Sequence, residues 1–202
     1  AYNKAVRKNV MLDVERTAIF ERFEQQGIWY MSLKGSILKE LYPENGMREM
    51  AENDVLYDST KQSEVKKIML SMGYSAESVG KTHHDVYMKP PVLNFELHTL
   101  LFGAASDFYA YYQNSKRLMI PDEGSKYGFH FSDEDFYVYM LAHEYKHFSG
   151  GGTGLRSLLD CYVFLQHKGD TLNWEYIHEQ TKQLDIADFE REQRELAEKV
   201  FS

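Results

Sequence analysis

The chain has a single cysteine, Cys161, among 202 residues, which excludes an intrachain disulfide and a thiolate-rich zinc site. A reducing compartment, the cytoplasm, is the expected location. No apolar run approaches the ~18 residues of a membrane span, and mean hydropathy is −0.53. The stretch from Ala1 to Val14 is charged and has no apolar core of the kind a signal peptide needs. A basic excess is missing too: 23 Lys and Arg stand against 31 Asp and Glu. The net charge of −8 disfavours a long nucleic-acid partner, which requires a positive face. Internal repeats and low-complexity segments are absent as well.

Apolar residues make up 43% of the chain and aromatic residues 14%, enough for a packed core. The acidity is uneven. Residues 169–202 hold nine acids and four bases, so five of the eight net negative charges fall on a C-terminal helical tail, where a solvated face is expected.

Helical spacing of Val6, Val10, Val14, Ala18 and Phe20 to Phe23 predicts one helix over 2–26. Ile28 to Leu33 reads as a buried strand, Gly35-Ser36 as a turn into a short helix over 37–42, and 43–50 as a loop. Asp54 to Tyr57 is a brief strand and Lys61 to Met72 a helix. Strands follow at 74–78, 82–88 and 92–98. Beyond residue 106 the pattern turns helical, over 133–148, 154–167, 173–184 and 186–201. The expected class is α+β: a small mixed β-sheet with flanking helices over 1–105, then a C-terminal helical bundle over 106–202.

Chemistry concentrates in 33–57, LKGSILKELYPENGMREMAENDVLY. Gly35 lets backbone approach an anion closely, and the next helix start and the Ser36 hydroxyl offer donors to a phosphate. Glu52 and Asp54, two apart on an extended segment, present two carboxylates to one side, hard oxygen ligands suited to Mg²⁺. On a later strand Asn94, Glu96 and His98 share a face, making Glu96 a third carboxylate of that group.

These segments resemble the branch of uncharacterised nucleotidyltransferases within the DNA polymerase β-type nucleotidyltransferase superfamily. The resemblance rests on Leu33-Lys34-Gly35, on Tyr42-Pro43 through Gly46 and Arg48 to Glu52-x-Asp54, and on Glu96-Leu97-His98. A fourth, helical stretch contains His143, His147, Leu155-Arg156 and Leu158-Leu159-Asp160. It covers roughly residues 28–165. It implies a nucleotidyltransferase-like domain that moves a nucleoside monophosphate from an NTP, ATP foremost, to a hydroxyl of a small-molecule or protein acceptor. Glu52, Asp54 and Glu96 would be the catalytic carboxylates and the ligands of Mg²⁺ or Mn²⁺. Lys34, Gly35, Ser36 and Arg48 would hold the triphosphate. Glu52 stands where the family normally carries Asp, so a nucleotide-binding module with little turnover is a second expectation.

A third reading comes from His143-Glu144-Tyr145-Lys146-His147, an H-E-x-x-H segment. On a helix it sets two histidines one turn apart, as a zinc peptidase does, with Glu144 as general base. A metzincin would carry its third histidine at position 153, which is Thr153. His83-His84-Asp85 reads as a solvated strand end, Gly150 to Gly154 as a flexible connection, and Phe108 to Tyr112 as core packing.

Overall fold

The computed structural model describes every residue except Ala1 and Thr153. In chain order the elements are α1 (Tyr2–Gln26), β1 (Tyr30–Ser32), α2 (Gly35–Leu38), β2 (Asn53–Tyr57), α3 (Gln62–Ser71), β3 (Ser75–Ser78), β4 (His84–Lys89) and β5 (Leu93–His98). Then come α4 (Tyr109–Tyr112), β6 (Met119–Pro121), β7 (Gly128–Phe131), α5 (Asp133–Gly151), α6 (Leu155–Lys168), α7 (Trp174–Gln183) and α8 (Ala187–Phe201). No helix among the described residues is long and apolar enough to cross a membrane.

The class is the expected one, α+β with a mixed sheet and C-terminal helices. The sheet order is β3-β4-β5-β2-β1-β7-β6. β2 runs parallel to β5, and β1 parallel to β7; the β3–β4, β4–β5 and β1–β2 pairs are antiparallel. Alternation along β5 buries Leu93, Phe95 and Leu97, leaving Asn94, Glu96 and His98 half-buried on the opposite face. The buried face packs with Val55, Tyr57 and Tyr87 against Leu12, Ile19 and Phe23 of α1 and Val65 and Met69 of α3. One sheet face is therefore committed to the core, and the polar residues collect on the other.

The chain divides into two compact units, the first ending at His130 and the second running from Phe131 to Ser202. The sequence expectation placed that division near 105. β6 and β7, which helical periodicity beyond 106 concealed, carry the first unit further. Tyr30 and Met31 of β1 pair in parallel with Gly128 and Phe129, and Tyr30 N–H donates to the Tyr127 carbonyl at 2.9 Å.

α1 has its expected span, and its row of valines is not the side it turns inward. Ala5, Asn9, Leu12, Ile19 and Phe23 are buried, whereas Val10 and Val14 are 47% and 63% exposed. Two buried amides explain that choice of side. Asn9 Nδ2 donates to the Arg48 carbonyl at 2.9 Å and to Asn45 Oδ1 at 3.0 Å, while its Oδ1 accepts from Met50 N–H at 2.9 Å. Asn53 Nδ2 donates to the Leu12 carbonyl and its Oδ1 accepts from Arg16 Nη1, both at 2.9 Å. The inward face of α1 thus fastens the 43–50 loop and the start of β2 by hydrogen bonds, which an apolar-spacing count does not register.

In the second unit, Ser132 caps α5 by accepting from Asp135 N–H at 3.0 Å, with three acids in the first turn. The acidic tail is not wholly solvated. Glu190 is buried and accepts from the Tyr137 hydroxyl at 3.1 Å and from Arg194 Nε at 2.7 Å.

Removing the Asn9 amide strands a buried N–H and a carbonyl, each worth about 1–3 kcal/mol. Asn9→Ala should therefore lower unfolding stability by roughly 2 kcal/mol, against less than about 0.5 kcal/mol for Val14→Ser on the exposed face. Urea unfolding monitored by circular dichroism checks both; equal effects would contradict the assigned face.

Candidate functional site

The parallel register of β2 and β5 sets Asp54 opposite Glu96 and Leu56 opposite His98. Residues two apart on a strand share a side, so Asp54, Glu96 and His98 gather on the polar face. Glu52 lies one residue before β2, in step with Asp54. The next strand adds His84, paired with His98 across the antiparallel β4–β5 ladder. His98 Nε2 lies 3.1 Å from Asp54 Oδ1, and His84 Nε2 lies 3.9 Å from Glu96 Oε2.

The charges respond to one another. Burial, then the negative charges of Asp54 and Glu96, push the Glu52 carboxyl from its usual 4.5 up to about 7. Burial acts on Asp54 in the same direction, but the His98 hydrogen bond and the Lys34 charge outweigh it and hold that carboxyl below its usual value. Burial pushes the Lys34 ammonium down, against the opposing pull of Asp54, Glu52 and Glu96. Lys34, Glu96 and the pair Glu52 and Asp54, from three separate segments, therefore share one electrostatic environment.

The residues expected to hold a triphosphate sit beside Lys34. Arg48 Nη1 donates to the Gly35 carbonyl at 3.3 Å, and its charge opposes the protonation of Lys34. A Cβ at Gly35 would come within 3.1 Å of Met50 Sδ and 3.2 Å of Arg48 Nη1, so a larger residue would push these side-chain ends aside. Ser36 is buried and its hydroxyl donates to the Leu33 carbonyl at 3.1 Å, closing the turn. α2 spans four residues, continued by a 3₁₀ turn over Lys39–Leu41, in place of the single helix expected over 37–42.

Two groups of side chains bring ligand atoms within 4.8 Å of one another: Asp54 with Glu96 and His98, and His83 with His84 and His98. Two carboxylates with one imidazole suit a divalent cation such as Mn²⁺ or Mg²⁺. Burial raises the Glu52 carboxyl first, and the Asp54 and Glu96 charges add to it beyond what Lys34 and Lys8 offset; a bound cation would favour its ionised form. A groove of about 630 Å³ continues along this face, lined by Lys8, Ala51, Val86, Met88 and Asn94.

Sequence reasoning assigned no chemistry to His83 and His84. His98 is visible by its spacing from Glu96, but only strand register shows that His84 lies opposite it. Asp85, their neighbour, points to the core side and accepts from Tyr57 Oη at 3.2 Å, Gln62 Nε2 at 2.9 Å and Gly80 N–H at 2.7 Å.

The peptidase reading loses its base. His143 and His147 do share a face of α5, with Nε2 atoms 3.3 Å apart. Glu144, however, is buried and accepts from Gln193 Nε2 at 3.2 Å. No group of three potential ligands among the described residues includes this pair. Position 153 lies outside the described residues. Cys161 is buried beside Glu144, and burial followed by that charge pushes its thiol up, the opposite of an activated nucleophile.

Among solved structures, the chain is similar to an antigenic nucleotidyltransferase-like protein from Paracoccidioides brasiliensis, at 12% identity over 90% of each chain with a TM-score of 0.48. No curated protein matches. The family described as uncharacterised nucleotidyltransferase matches residues 1–202. With that match spanning the whole length, the chain belongs to the uncharacterised nucleotidyltransferase family.

Proposed function

We propose that this protein transfers a nucleoside monophosphate from an NTP, ATP foremost, to a hydroxyl of a small-molecule or protein acceptor. The observation that carries the reading is the side-by-side placement of Asp54 and Glu96 across β2 and β5, with Glu52 and Lys34 in the same environment. Asp54 and Glu96, with Glu52 at their edge and His98 fastening Asp54, would hold Mg²⁺ or Mn²⁺. When bound, that cation supplies neutralising charge to phosphate oxygens.

In this reading Lys34 and Arg48 hold the triphosphate by charge, and Gly35 lets its backbone come close. Ser36 contributes by fixing the turn. The acceptor hydroxyl attacks the α-phosphorus, the bond from that phosphorus to the pyrophosphate oxygen breaks, and pyrophosphate leaves. Glu96 takes the acceptor proton. Most of the rate comes from positioning and charge stabilisation, as in phosphoryl transfer generally. The groove beside Asn94 offers room for an acceptor next to Glu96. The net charge of −8 favours a compact acceptor over a long nucleic acid, and the single cysteine suits a cytoplasmic setting. Glu52, one methylene longer than the usual Asp, supports a slower variant of the same chemistry.

Incubation with ATP labelled at its α-phosphate, Mg²⁺ or Mn²⁺, and a panel of hydroxyl acceptors should give labelled product and pyrophosphate in equal amounts. Asp54→Asn or Glu96→Gln should cut that rate by about 10²-fold or more, the scale of loss that misplacing reacting groups brings. A variant retaining full transfer would sink the assignment.

Glu52 makes a separate prediction for the metal-free protein. Its folded value of about 7 lies above the usual 4.5, so its favourable contribution is complete below about 4.5 and is lost as pH rises through about 7. At ~1.4 kcal/mol per pK unit, reduced by solvent screening at its exposed edge, the loss is about 1–2 kcal/mol. Glu52→Gln should therefore become more stable relative to the natural chain as pH rises from about 4 to about 8, a range that spans both values. Thermal melting against pH checks this; parallel profiles would refute the crowding of carboxylates.

A further inference from the structure

The second ligand group has chemistry that the carboxylate site does not use. His83 and His84 immediately precede or open β4, and strand register brings His84 opposite His98. The ring centroids of His83 and His84 are 4.8 Å apart, and those of His84 and His98 5.2 Å. One nitrogen from each of the three imidazoles lies within 4.8 Å of the others. Three neutral imidazoles are borderline donors that favour zinc-class ions over Mg²⁺.

The backbone around them is anchored. The His83 carbonyl accepts from Thr99 N–H at 2.9 Å and from Thr99 Oγ1 at 3.1 Å. The His84 carbonyl accepts from Thr82 Oγ1 at 2.9 Å. Gly103 leaves room for the His83 ring, since a Cβ there would lie 3.1 Å from His83 Nδ1.

His98 is held from one side: its Nε2 lies 3.1 Å from Asp54 Oδ1. Its other ring nitrogen, Nδ1, is buried and has no hydrogen-bond partner among the described residues. A carboxylate that fixes one imidazole nitrogen and aims the other is the arrangement found behind metal-binding histidines.

We propose that His83, His84 and His98 form a binding site for a zinc-class transition-metal ion, linked to the carboxylate site through the His98–Asp54 hydrogen bond. Tetrahedral coordination at ~2.0–2.1 Å needs ligand atoms about 3.3 Å apart. Rotation of the His83 and His84 rings, with His98 held by Asp54, would bring them in. Because His98 also holds Asp54, filling the site fixes the orientation of that carboxylate. The site does not depend on the transferase reading: three imidazoles bind such an ion whatever reaction the carboxylates perform.

Chelator-stripped protein titrated with Zn²⁺ by calorimetry, and with Co²⁺ by visible absorption, tests the site. The expected result is one ion per chain with micromolar or tighter Kd and a tetrahedral Co²⁺ spectrum, both retained in millimolar Mg²⁺. His83→Asn together with His84→Asn should weaken binding by more than about 100-fold, beyond the ~10–100-fold that changes around a metal's ligands cost. His143→Asn with His147→Asn should leave it intact. Loss of folding in the double variant would show in circular dichroism, and the single His83→Asn variant, outside β4, then decides by the same titration. Absence of stoichiometric binding, displacement by Mg²⁺, or loss only with the His143 and His147 changes would overturn the proposal. ATP-dependent transfer in Mg²⁺ alone would persist through any of those outcomes, so the two readings fail separately.

Discussion

Everything chemical in the first unit depends on one backbone constraint, the parallel pairing of β2 with β5. Asp54 and Glu96 are 42 positions apart, and only that ladder puts them side by side. A slip of one residue would turn Glu96 and His98 into the core and bring Phe95 and Leu97 out. The buried face prevents it, because Leu93, Phe95 and Leu97 pack against α1 and α3. The apolar side of each strand thus sets the aim of the polar side, so packing and chemistry share a single register.

The same constraint concentrates charge at a cost that the surrounding groups offset only in part. Three carboxylates share a half-buried face with one ammonium. Asp54 stays ionised because His98 and Lys34 reward its charge. Glu52 has no comparable hydrogen bond, and burial plus its two acidic neighbours raise it to about 7. Two carboxylates two residues apart therefore hold their protons very differently, which sequence spacing alone does not disclose. The buried amides of Asn9 and Asn53 complete the arrangement by tying α1 to the loop bearing Arg48 and to the start of β2.

The H-E-x-x-H segment shows how a motif can be met in letters and missed in orientation. Helical spacing does bring His143 and His147 together, and that much was readable. Glu144 sits about 100° further round the helix, and in this chain that direction is the interior, where Gln193 takes its carboxylate. Glu190 in the acidic tail was masked in the same way. It lies in a run of surface charges, yet hydrogen bonds from Tyr137 and Arg194 hold it inside.

By itself the sequence determined the class, the span of α1, the run of strands through 98, the C-terminal helices and the alternation that sets Glu96 and His98 on one side of β5. These follow from local periodicity, turn residues and the alternation of a strand, all of which act over a few neighbours. It did not determine which face of α1 turns inward, because two buried asparagines break the apolar count. Nor did it determine that β7 returns to β1 and carries the first unit to His130, since a parallel partner a hundred residues away leaves no local trace. The gathering of His83 and His84 beside His98 likewise belongs to tertiary structure. Strand register alone decides which side chains face each other across a sheet, and register is fixed by packing of the opposite face rather than by the residues that meet.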